Sequence, residues 1–289
     1  MFDHVEAYYR PESAAEALRL LQRSNGRARI VAGGTDLVVD GGRSVRALID
    51  LSHAGLSYIR RRERVCLIGA TTKLAELEES TVIRALAGGL LARAAATCGS
   101  VQIRNMATIG GNLAHGSPAA DLATALLVLD ADVVVLEGKG RHKQPVAGYL
   151  EPHLQNGRKS SVLIEIAVTE LPHTARSGWS FQKFGRTEVD IALVSAAAGL
   201  QLDARGRVKW ARLALGSVAP TPVRIPRVEQ LMAGEPFDHT LLARAGEQVI
   251  REVQPITDAR ASSDFRRELA RVLTGRAFEE CAAQAGCDL

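Results

Sequence analysis

The chain has 289 residues, of which 46% are hydrophobic, and its 36 Lys and Arg residues outnumber 32 Asp and Glu residues. This apolar fraction supports a folded core and excludes disorder as the main state, and the length suits two domains. The net charge of +4 is mild, and the one compact basic run, residues 60–64, is typical of a solvated face or loop. A nucleic-acid-binding surface is therefore not expected.

The four cysteines and seven histidines fall in no metal-ligand spacing, and no C-x-x-C or H-E-x-x-H motif occurs. Neither a metal site held by this chain nor a disulfide framework is expected. The N-terminus shows no signal peptide pattern. Asp130 and Asp132 interrupt the most apolar stretch, residues 122–136, so no membrane span is expected. We expect a cytoplasmic protein.

The first part of the chain predicts a mixture of helices and strands without a regular βαβ series. Ser13 and Glu16 form a capping box, and Ala14, Ala17, Leu18 and Leu21 then recur at helical spacing. Val-, Ile- and Leu-rich runs predict the strands. After the helix that follows Ser13, the predicted elements are strands at 28–31, 47–51 and 65–68, helices at 73–79 and 82–97, and strands at 131–137 and 162–168.

The polar, turn-like segment 172–178 predicts a domain boundary, and the chain changes character after it. Three strands are predicted beyond it, and the turn Asp203-Ala204-Arg205-Gly206 joins the last two as a hairpin. The chain then ends in helices. These elements are strands at 179–183, 192–202 and 208–218, and helices at 226–232, 238–253 and 264–285.

Two pairs of adjacent glycines lie in polar turns, in Ala32-Gly33-Gly34-Thr35-Asp36-Leu37 and in Thr108-Ile109-Gly110-Gly111-Asn112. Glycine permits a positive φ, and successive inward N–H groups form an anion-binding nest. Two such loops facing each other would hold a pyrophosphate. Neither loop matches the G-x-G-x-x-G fingerprint or the phosphate-binding P-loop. A tight turn at the end of a strand is the alternative interpretation.

Asp121 follows the second loop, in Ser117-Pro118-Ala119-Ala120-Asp121. A carboxylate at this place would accept hydrogen bonds from ribose hydroxyls, as in dinucleotide sites. The alternative is that Asp121 is the N-cap of a helix over 122–129, and the two roles are compatible. His115 and Ser117 lie in no G-x-S-x-G elbow, so no serine nucleophile is expected.

These segments resemble the flavin loops of the molybdenum hydroxylase family, and the chain resembles the separate FAD-binding medium subunit of that family. Such subunits occur in bacterial carbon monoxide dehydrogenases, xanthine dehydrogenases and related oxidoreductases. The second half extends the resemblance to nearly the whole chain. Its matching segments are Lys183-Phe184-Gly185-Arg186 with Asp190-Ile191-Ala192, the hairpin 214–222 (A-L-G-S-V-A-P-T-P), and Asp264-Phe265-Arg266-Arg267-Glu268 of the terminal helix.

The resemblance implies an α+β fold, in which a two-lobed FAD-binding domain of the vanillyl-alcohol oxidase (PCMH) type precedes a small C-terminal domain with a three-stranded antiparallel sheet and helices. We predict the FAD-binding domain at 1–174, with lobes of about 1–55 and 56–174, and the C-terminal domain at 175–289. The pyrophosphate would lie between the glycine loops, Asp121 would hold ribose, and Lys183 would lie near the isoalloxazine ring. No catalytic residue is implied. The residues implied to bind FAD are Ile30, Val31, Ala32, Gly33, Gly34, Thr35, Asp36, Leu37, Cys98, Thr108, Ile109, Gly110, Gly111, Asn112, Asp121 and Lys183.

The sequence departs from the family pattern at a few places. Phe181 stands where members often have tyrosine, which removes any role for a phenol hydroxyl there. Lys159-Ser160-Ser161 replaces an acidic-aliphatic-aliphatic run, which removes the basis for predicting a leucine contact to the flavin. The Cys-rich insertion of members with an extra [4Fe–4S] cluster is missing.

The implied function is electron transfer. A large subunit with a molybdopterin cofactor would hydroxylate the substrate, and two [2Fe–2S] clusters of a small subunit would pass electrons to FAD on this chain. NAD+, O2 or another acceptor would then receive them, in a complex expected to be a dimer of heterotrimers. The alternatives are a stand-alone FAD-dependent reductase or oxidase, with Glu188, Asp190 or Tyr149 as its acid or base, and a non-catalytic nucleotide-binding scaffold. The sequence does not specify whether the substrate is a purine, an N-heteroaromatic compound, an aldehyde or carbon monoxide.

Overall fold

The chain folds into two compact units, each assembled from segments that are distant in the sequence. The computed structural model describes residues 4–42, 44–138, 140–151, 160–170 and 176–287. Unit 1 comprises Met1–Leu77, Ser100–Gly116 and Ala131–Thr169, and unit 2 comprises Glu78–Gly99, Ser117–Asp130 and Glu170–Leu289. The boundary predicted between residues 174 and 175 lies outside the described residues.

Among the described residues, the strands form three sheets, two in unit 1 and one in unit 2. In chain order they are β1 (Ala7–Tyr9), β2 (Ala28–Val31), β3 (Ala47–Asp50), β4 (Ile59–Arg62), β5 (Val65–Gly69), β6 (Asp132–Glu137), β7 (Gly140–Pro145), β8 (Ser161–Thr169), β9 (Ser177–Phe184), β10 (Val194–Leu202), β11 (Val208–Gly216) and β12 (Val223–Arg224). Unit 1 contains a parallel sheet in the order β1-β3-β2 and an antiparallel sheet in the order β4-β5-β8-β6-β7.

The helices vary from single turns to a long C-terminal helix. In chain order they are α1 (Ala14–Arg23), α2 (Leu37–Asp40), α3 (Leu74–Glu79), α4 (Thr81–Ala85), α5 (Leu90–Ala96), α6 (Val101–Arg104), α7 (Ile109–His115), α8 (Asp121–Val128), α9 (Val146–Leu150), α10 (Pro226–Met232), α11 (His239–Glu252) and α12 (Ser263–Gln284). Helices α1, α2, α3, α6, α7 and α9 begin in unit 1, and the others lie in unit 2.

Helix α1 confirms the Ser13 half of the predicted capping box, whereas the Glu16 side chain accepts from the backbone N–H of Glu12 at 3.0 Å and not from that of Ser13. The Ser13 side chain accepts a hydrogen bond from the backbone N–H of Glu16 at 3.2 Å, which satisfies a donor that the first helical turn leaves open. Leu18 and Leu21 are buried on one face of the helix. They join the core of unit 1 together with Ile49 of β3 and residues of β8.

The single helix predicted over 82–97 is wrong, because the chain breaks into α4, a 3-10 turn and α5. Ala87, Gly88 and Gly89 all have positive φ, between +45° and +77°. Left-handed backbone cannot continue a right-handed helix, and two adjacent glycines make it accessible.

The basic run at residues 60–64 begins in an edge strand. Arg60, Arg61 and Arg62 lie in β4, at one edge of the five-stranded sheet, and their side chains are exposed. The guanidinium of Arg60 lies 4.5 Å from the ring centroid of Tyr58. Charged side chains on an edge strand oppose pairing with other chains.

Unit 2 is built on an antiparallel sheet in the order β12-β11-β10-β9. The predicted strands correspond to β9, β10 and β11, and the two-residue strand β12 extends the sheet. The predicted hairpin turn is confirmed, with a φ of +74° at Gly206 and two backbone N–H groups donating to the Asp203 carboxylate. The register aligns Lys183 with Ser195 and Ser195 with Gly216, so these residues form one row across three strands.

Helix α8 is anchored to this sheet at its C-terminal end. All eight of its residues are buried, and it packs against β10 and β11. Two guanidiniums satisfy its last carbonyl groups: Arg224 donates to Leu127 at 3.1 Å and Arg212 donates to Val128 at 3.0 Å. Both arginines also pair with Asp130, which lies just beyond the helix. These contacts complement the negative end of the helix dipole.

Helix α12 packs across β9 and β10 on one side and against α11 on another, which makes it the largest helical contribution to the core of unit 2. Phe278 is fully buried in this core, whereas Phe265, in the first turn of α12, is 46% exposed.

We therefore predict that Phe278→Ala lowers the free energy of unfolding by about 3–5 kcal/mol, because the cavity adds to the lost transfer energy. Phe265→Ala is the matched control and should cost about 1 kcal/mol or less. Urea unfolding curves measure both, and equal losses would contradict this account of the core.

Candidate functional site

The first glycine loop presents a run of unused backbone donors in unit 1. Gly34 has a φ of +72°, so the paired glycine takes the left-handed conformation here. Among the described residues, the backbone N–H groups of residues 33–36 donate to no acceptor. Consecutive free N–H groups in such a turn form an anion-binding nest. The predicted site residues of this segment fall in strand β2 (Ile30, Val31), in the loop (Ala32, Gly33, Gly34, Thr35, Asp36) and at the start of α2 (Leu37).

The two glycine loops lie side by side. A Cβ on Gly33 would sit 2.1 Å from the carbonyl oxygen of Met106, in the turn that leads into the second loop. No side chain fits in that space, so glycine is needed here for close approach and not for a positive φ. Beyond the loops, Nε2 of His115 in α7 lies 3.1 Å from Oδ2 of Asp40 in α2. Unit 1 therefore brings both predicted loops to one place.

The second glycine loop is not a second nest, contrary to the prediction. Its N–H groups are already used: Ile109 donates to Thr72 at 3.0 Å, Gly110 to Ala70 at 2.9 Å, and Gly111 to the Thr108 side chain at 3.1 Å. Neither Gly110 nor Gly111 has a positive φ. A Cβ on Gly110 would lie 2.6 Å from the Ala70 carbonyl oxygen, so this glycine also serves close packing.

Asn112 offers the complementary chemistry at the start of α7. Its backbone N–H donates to the Thr108 carbonyl oxygen at 3.0 Å, as in a regular first helical turn. Its side-chain Oδ1 is buried and has no hydrogen-bond partner among the described residues. Buried acceptors without partners are rare and indicate a missing donor. The second loop thus supplies an acceptor, while the first supplies donors.

Asp121 and Lys183 form a buried ion pair within unit 2. Lys183 Nζ lies 2.8 Å from Asp121 Oδ2 and also donates to the Thr97 carbonyl oxygen at 2.7 Å. The two side chains are only 8% and 3% exposed. The second carboxylate oxygen, Oδ1, is buried without a partner among the described residues. One oxygen of Asp121 is therefore fixed by Lys183, and the other is available to a hydroxyl donor.

The N-cap role considered for Asp121 is wrong, because the N-cap of α8 is Ala120 and Asp121 is the first helical residue. Burial raises the pKa of Asp121 to about 6, although the Lys183 charge and hydrogen bond act in the opposite direction. At neutral pH the group is thus a carboxylate, which is the form that accepts hydrogen bonds from hydroxyls.

Cys98 follows Thr97 directly and is half-buried in unit 2. Thr97 was not predicted as a site residue, because its contribution is a backbone carbonyl and carries no side-chain signal. Phe181 is buried in β9. Lys159, which belongs to the departure from the family pattern, lies outside the described residues.

Each unit, taken by itself, contains groups that fit the FAD implied by the resemblance. The first loop offers N–H donors of the kind that bind a pyrophosphate. Asn112 and Asp121 each hold a buried oxygen that lacks a donor, and FAD carries several hydroxyl groups. Gly34 supplies the left-handed backbone that turns the donors together.

Comparison with known proteins identifies the family to which the chain belongs. The model of the FAD binding domain in molybdopterin dehydrogenase matches residues 2–170. The chain belongs to this family of FAD-binding subunits. A second model, the CO dehydrogenase flavoprotein C-terminal domain, matches residues 179–281. The fold is thus that of the predicted FAD-binding domain followed by a flavoprotein C-terminal domain, and the chain is the flavoprotein subunit of an oxidoreductase.

Relatives of this FAD-binding subunit match it end to end. The xanthine dehydrogenase FAD-binding subunit of Escherichia coli O157:H7 is 32% identical, over 99% of each chain. The 6-hydroxypseudooxynicotine dehydrogenase complex subunit alpha of Paenarthrobacter nicotinovorans is 32% identical, over 98% of this chain and 95% of that one. A solved carbon monoxide dehydrogenase chain from Hydrogenophaga pseudoflava superposes with a TM-score of 0.91 at 29% identity, over 98% of this chain and 99% of that one.

Within the described ranges, no helix of this flavoprotein subunit is both long and apolar enough to cross a membrane. Over the same ranges, no group of three or more His, Cys, Asp or Glu side chains is arranged to hold a metal ion.

The raised pKa of Asp121 predicts a pH-dependent stability for the FAD-free subunit. The folded chain binds this proton more tightly than the unfolded chain, whose Asp pKa is near 3.8. The Asp121 contribution to stability is therefore full below pH about 4 and is lost as the pH rises through about 6. Urea unfolding at several pH values should show the free energy of unfolding of wild type, relative to that of Asp121→Asn, falling by about 3 kcal/mol across this window. A difference that does not change with pH would contradict the assignment.

Proposed function

We propose that this subunit accepts electrons through its FAD from the [2Fe–2S] clusters of a small subunit and delivers them to NAD+, O2 or another acceptor. The observation that carries the proposal is the run of free N–H donors in the first loop, together with the buried, unpartnered acceptor of Asn112 in the same unit. FAD supplies the exchange between one-electron and two-electron transfers. This chain's own residues bind and orient it.

We assign the binding roles from the chemistry of each group. The N–H groups of residues 33–36 would donate to the pyrophosphate, and Asn112 and Asp121 would accept hydrogen bonds from FAD hydroxyls. Lys183 lies near the isoalloxazine ring in this proposal and favours negative charge on the reduced ring. Because Asp121 offsets the Lys183 charge at 2.8 Å, the effect on the flavin potential is smaller than that of an unpaired ammonium.

Large and small partner subunits complete the proposed enzyme. The large one carries the molybdopterin cofactor and the substrate pocket, and the assembly is a dimer of heterotrimers in the cytoplasm. Relatives of similar identity are named for xanthine, 6-hydroxypseudooxynicotine and carbon monoxide dehydrogenases, which supports a flavin subunit that does not itself select the substrate.

The structure offers little support for a stand-alone reductase. Arg186 Nε donates to Asp190 Oδ2 at 2.9 Å, and this hydrogen bond lowers the pKa of the Asp190 carboxyl group. A carboxylate with a lowered pKa is a weaker general base. Glu188 is exposed on the same loop, and Tyr149 is buried in unit 1.

Substitution of Gly34 tests the placement of FAD. Gly34→Val should abolish FAD retention, because the side chain disfavours the left-handed backbone that gathers the N–H donors. Gly55→Val is the matched control, since Gly55 has a φ of +69° in the same unit and nothing lies within 4 Å of its added Cβ. Flavin absorbance per chain measures retention. Equal loss in both variants, or full flavin in Gly34→Val, would refute the placement.

Purification of the native complex tests the proposed electron-transfer role. The chain should co-purify with a large chain containing molybdenum and a small chain containing four iron atoms, the content of two [2Fe–2S] clusters. Gel filtration with metal analysis measures this, and addition of substrate should bleach the flavin absorbance of the complex but not that of the isolated chain. A chain that is isolated alone and whose flavin responds directly to a small substrate would favour the stand-alone reductase instead.

A further inference from the structure

The loop before α8 and the first turn of that helix rest on a row of three residues in the sheet of unit 2. Lys183 of β9, Ser195 of β10 and Gly216 of β11 are aligned, and side chains directly opposite one another project to the same face. Lys183 holds Asp121, as described above. Ser195 is fully buried, and its Oγ has no partner among the described residues.

Gly216 is the point of closest approach in this row. A Cβ there would lie 2.5 Å from Ser195 Oγ, 2.8 Å from Thr124 Oγ1 and 3.5 Å from the carbonyl oxygen of Pro118. Both contacts under 3.0 Å are with side-chain hydroxyls, and Ser195 and Thr124 are fully buried. Thr124 Oγ1 donates to the Ala120 carbonyl oxygen at 3.2 Å, so an added Cβ would either break that bond or push the helix away. The absence of a side chain at Gly216 therefore sets the depth at which the start of α8 meets the sheet.

The residue that follows Gly216 is also held in place by two hydrogen bonds. The N–H of Ser217, the residue after Gly216, donates to the Pro118 carbonyl oxygen at 2.7 Å. The Ser217 side chain donates to the Ala192 carbonyl oxygen at 2.9 Å. Thr124 lies one turn after Asp121, on the same side of α8. A shift of α8 away from Gly216 would therefore move Asp121 relative to Lys183.

We propose that Gly216 is a positioning residue for the flavin: it touches no FAD atom, and it acts through Pro118 and Thr124 to place the Asp121 carboxylate. This inference rests on the proposed role of Asp121 as a hydrogen-bond acceptor for FAD. It gives the glycine of the A-L-G-S-V-A-P-T-P hairpin a function in cofactor binding, although that hairpin belongs to the C-terminal domain in sequence.

A double-mutant cycle on FAD affinity tests the proposal, because coupled residues give non-additive effects. The dissociation constant of FAD is measured by fluorescence quenching on the FAD-free full chain, for wild type, Gly216→Ala, Asp121→Asn and the double variant. Loss of a charged hydrogen bond should weaken FAD binding about ten-fold or more in Asp121→Asn. Gly216→Ala should weaken it about ten-fold in wild type and less than about two-fold in the Asp121→Asn background.

Gly275→Ala is the matched control. It makes the same change in the same unit, within α12, and nothing lies within 4 Å of the added Cβ. Its FAD affinity should equal that of wild type. Thermal unfolding of every variant without FAD verifies that each is folded under the conditions of the titration.

The outcomes separate the two levels of the proposal. If Gly216→Ala weakens binding equally in both backgrounds, or not at all, Gly216 does not act through Asp121 and the inference is overturned. If Asp121→Asn and Gly34→Val both bind FAD as wild type does, the proposed flavin site itself fails. If Gly216→Ala yields no folded protein, the cycle is run with Gly216→Ala combined with Ser195→Ala, which removes the 2.5 Å contact. That pair should bind FAD more weakly than Ser195→Ala alone, and equal affinity of the two would overturn the inference.

Discussion

The buried contact between the Asp121 carboxylate and the Lys183 ammonium fixes how helix α8 meets the sheet of unit 2. Burial of two charges is costly, and a pair of apolar side chains in their place is often no less stable. Stability alone therefore does not explain the pair. Its geometry does: Lys183 engages one carboxylate oxygen and leaves the other buried without a partner. The cation favours the ionised carboxyl group in a buried environment, and the proposed role of the second oxygen is to accept a hydrogen bond from an FAD hydroxyl.

Glycine meets different structural needs at different positions of the chain. Gly34 takes a positive φ, so that its loop gathers N–H donors, whereas Gly33, Gly110 and Gly216 have ordinary backbone and are needed because another main chain or a buried hydroxyl approaches closely. The two glycine loops look alike in sequence, yet one is a donor surface and the other is consumed by contacts with Ala70 and Thr72. The pairing of a donor loop with the Asn112 acceptor suits a cofactor that combines phosphates with hydroxyls.

Local patterns predicted most of the regular elements. Short-range rules of capping, alternation and turn chemistry account for the Ser13 N-cap of α1, strand β2, helix α10 and the hairpin turn at Asp203. The wrong predictions, a continuous helix over 82–97 and an N-cap role for Asp121, have backbone or non-local causes. Left-handed residues around Gly88 broke a helix whose side-chain pattern was continuous, and the Lys183 contact gave Asp121 a partner that its own helix could not. The site residues came from the family resemblance, while the unequal chemistry of the two loops depends on hydrogen bonds that no sequence pattern displays.

Helix α8 lies inside the stretch matched by the FAD-binding family model, yet its partners lie in the stretch matched by the C-terminal model. Lys183 and Ser217 hold its start, and Arg212 and Arg224 hold its end. The two halves of the sequence are therefore not interchangeable parts. Exchange of the C-terminal half for that of a distant relative would replace the sheet residues that α8 packs against. A substitution at Lys183, Ser195 or Gly216 would then require a compensating substitution in α8. Helix α8 and these partners belong to one compact unit, although the two family models divide the sequence between them.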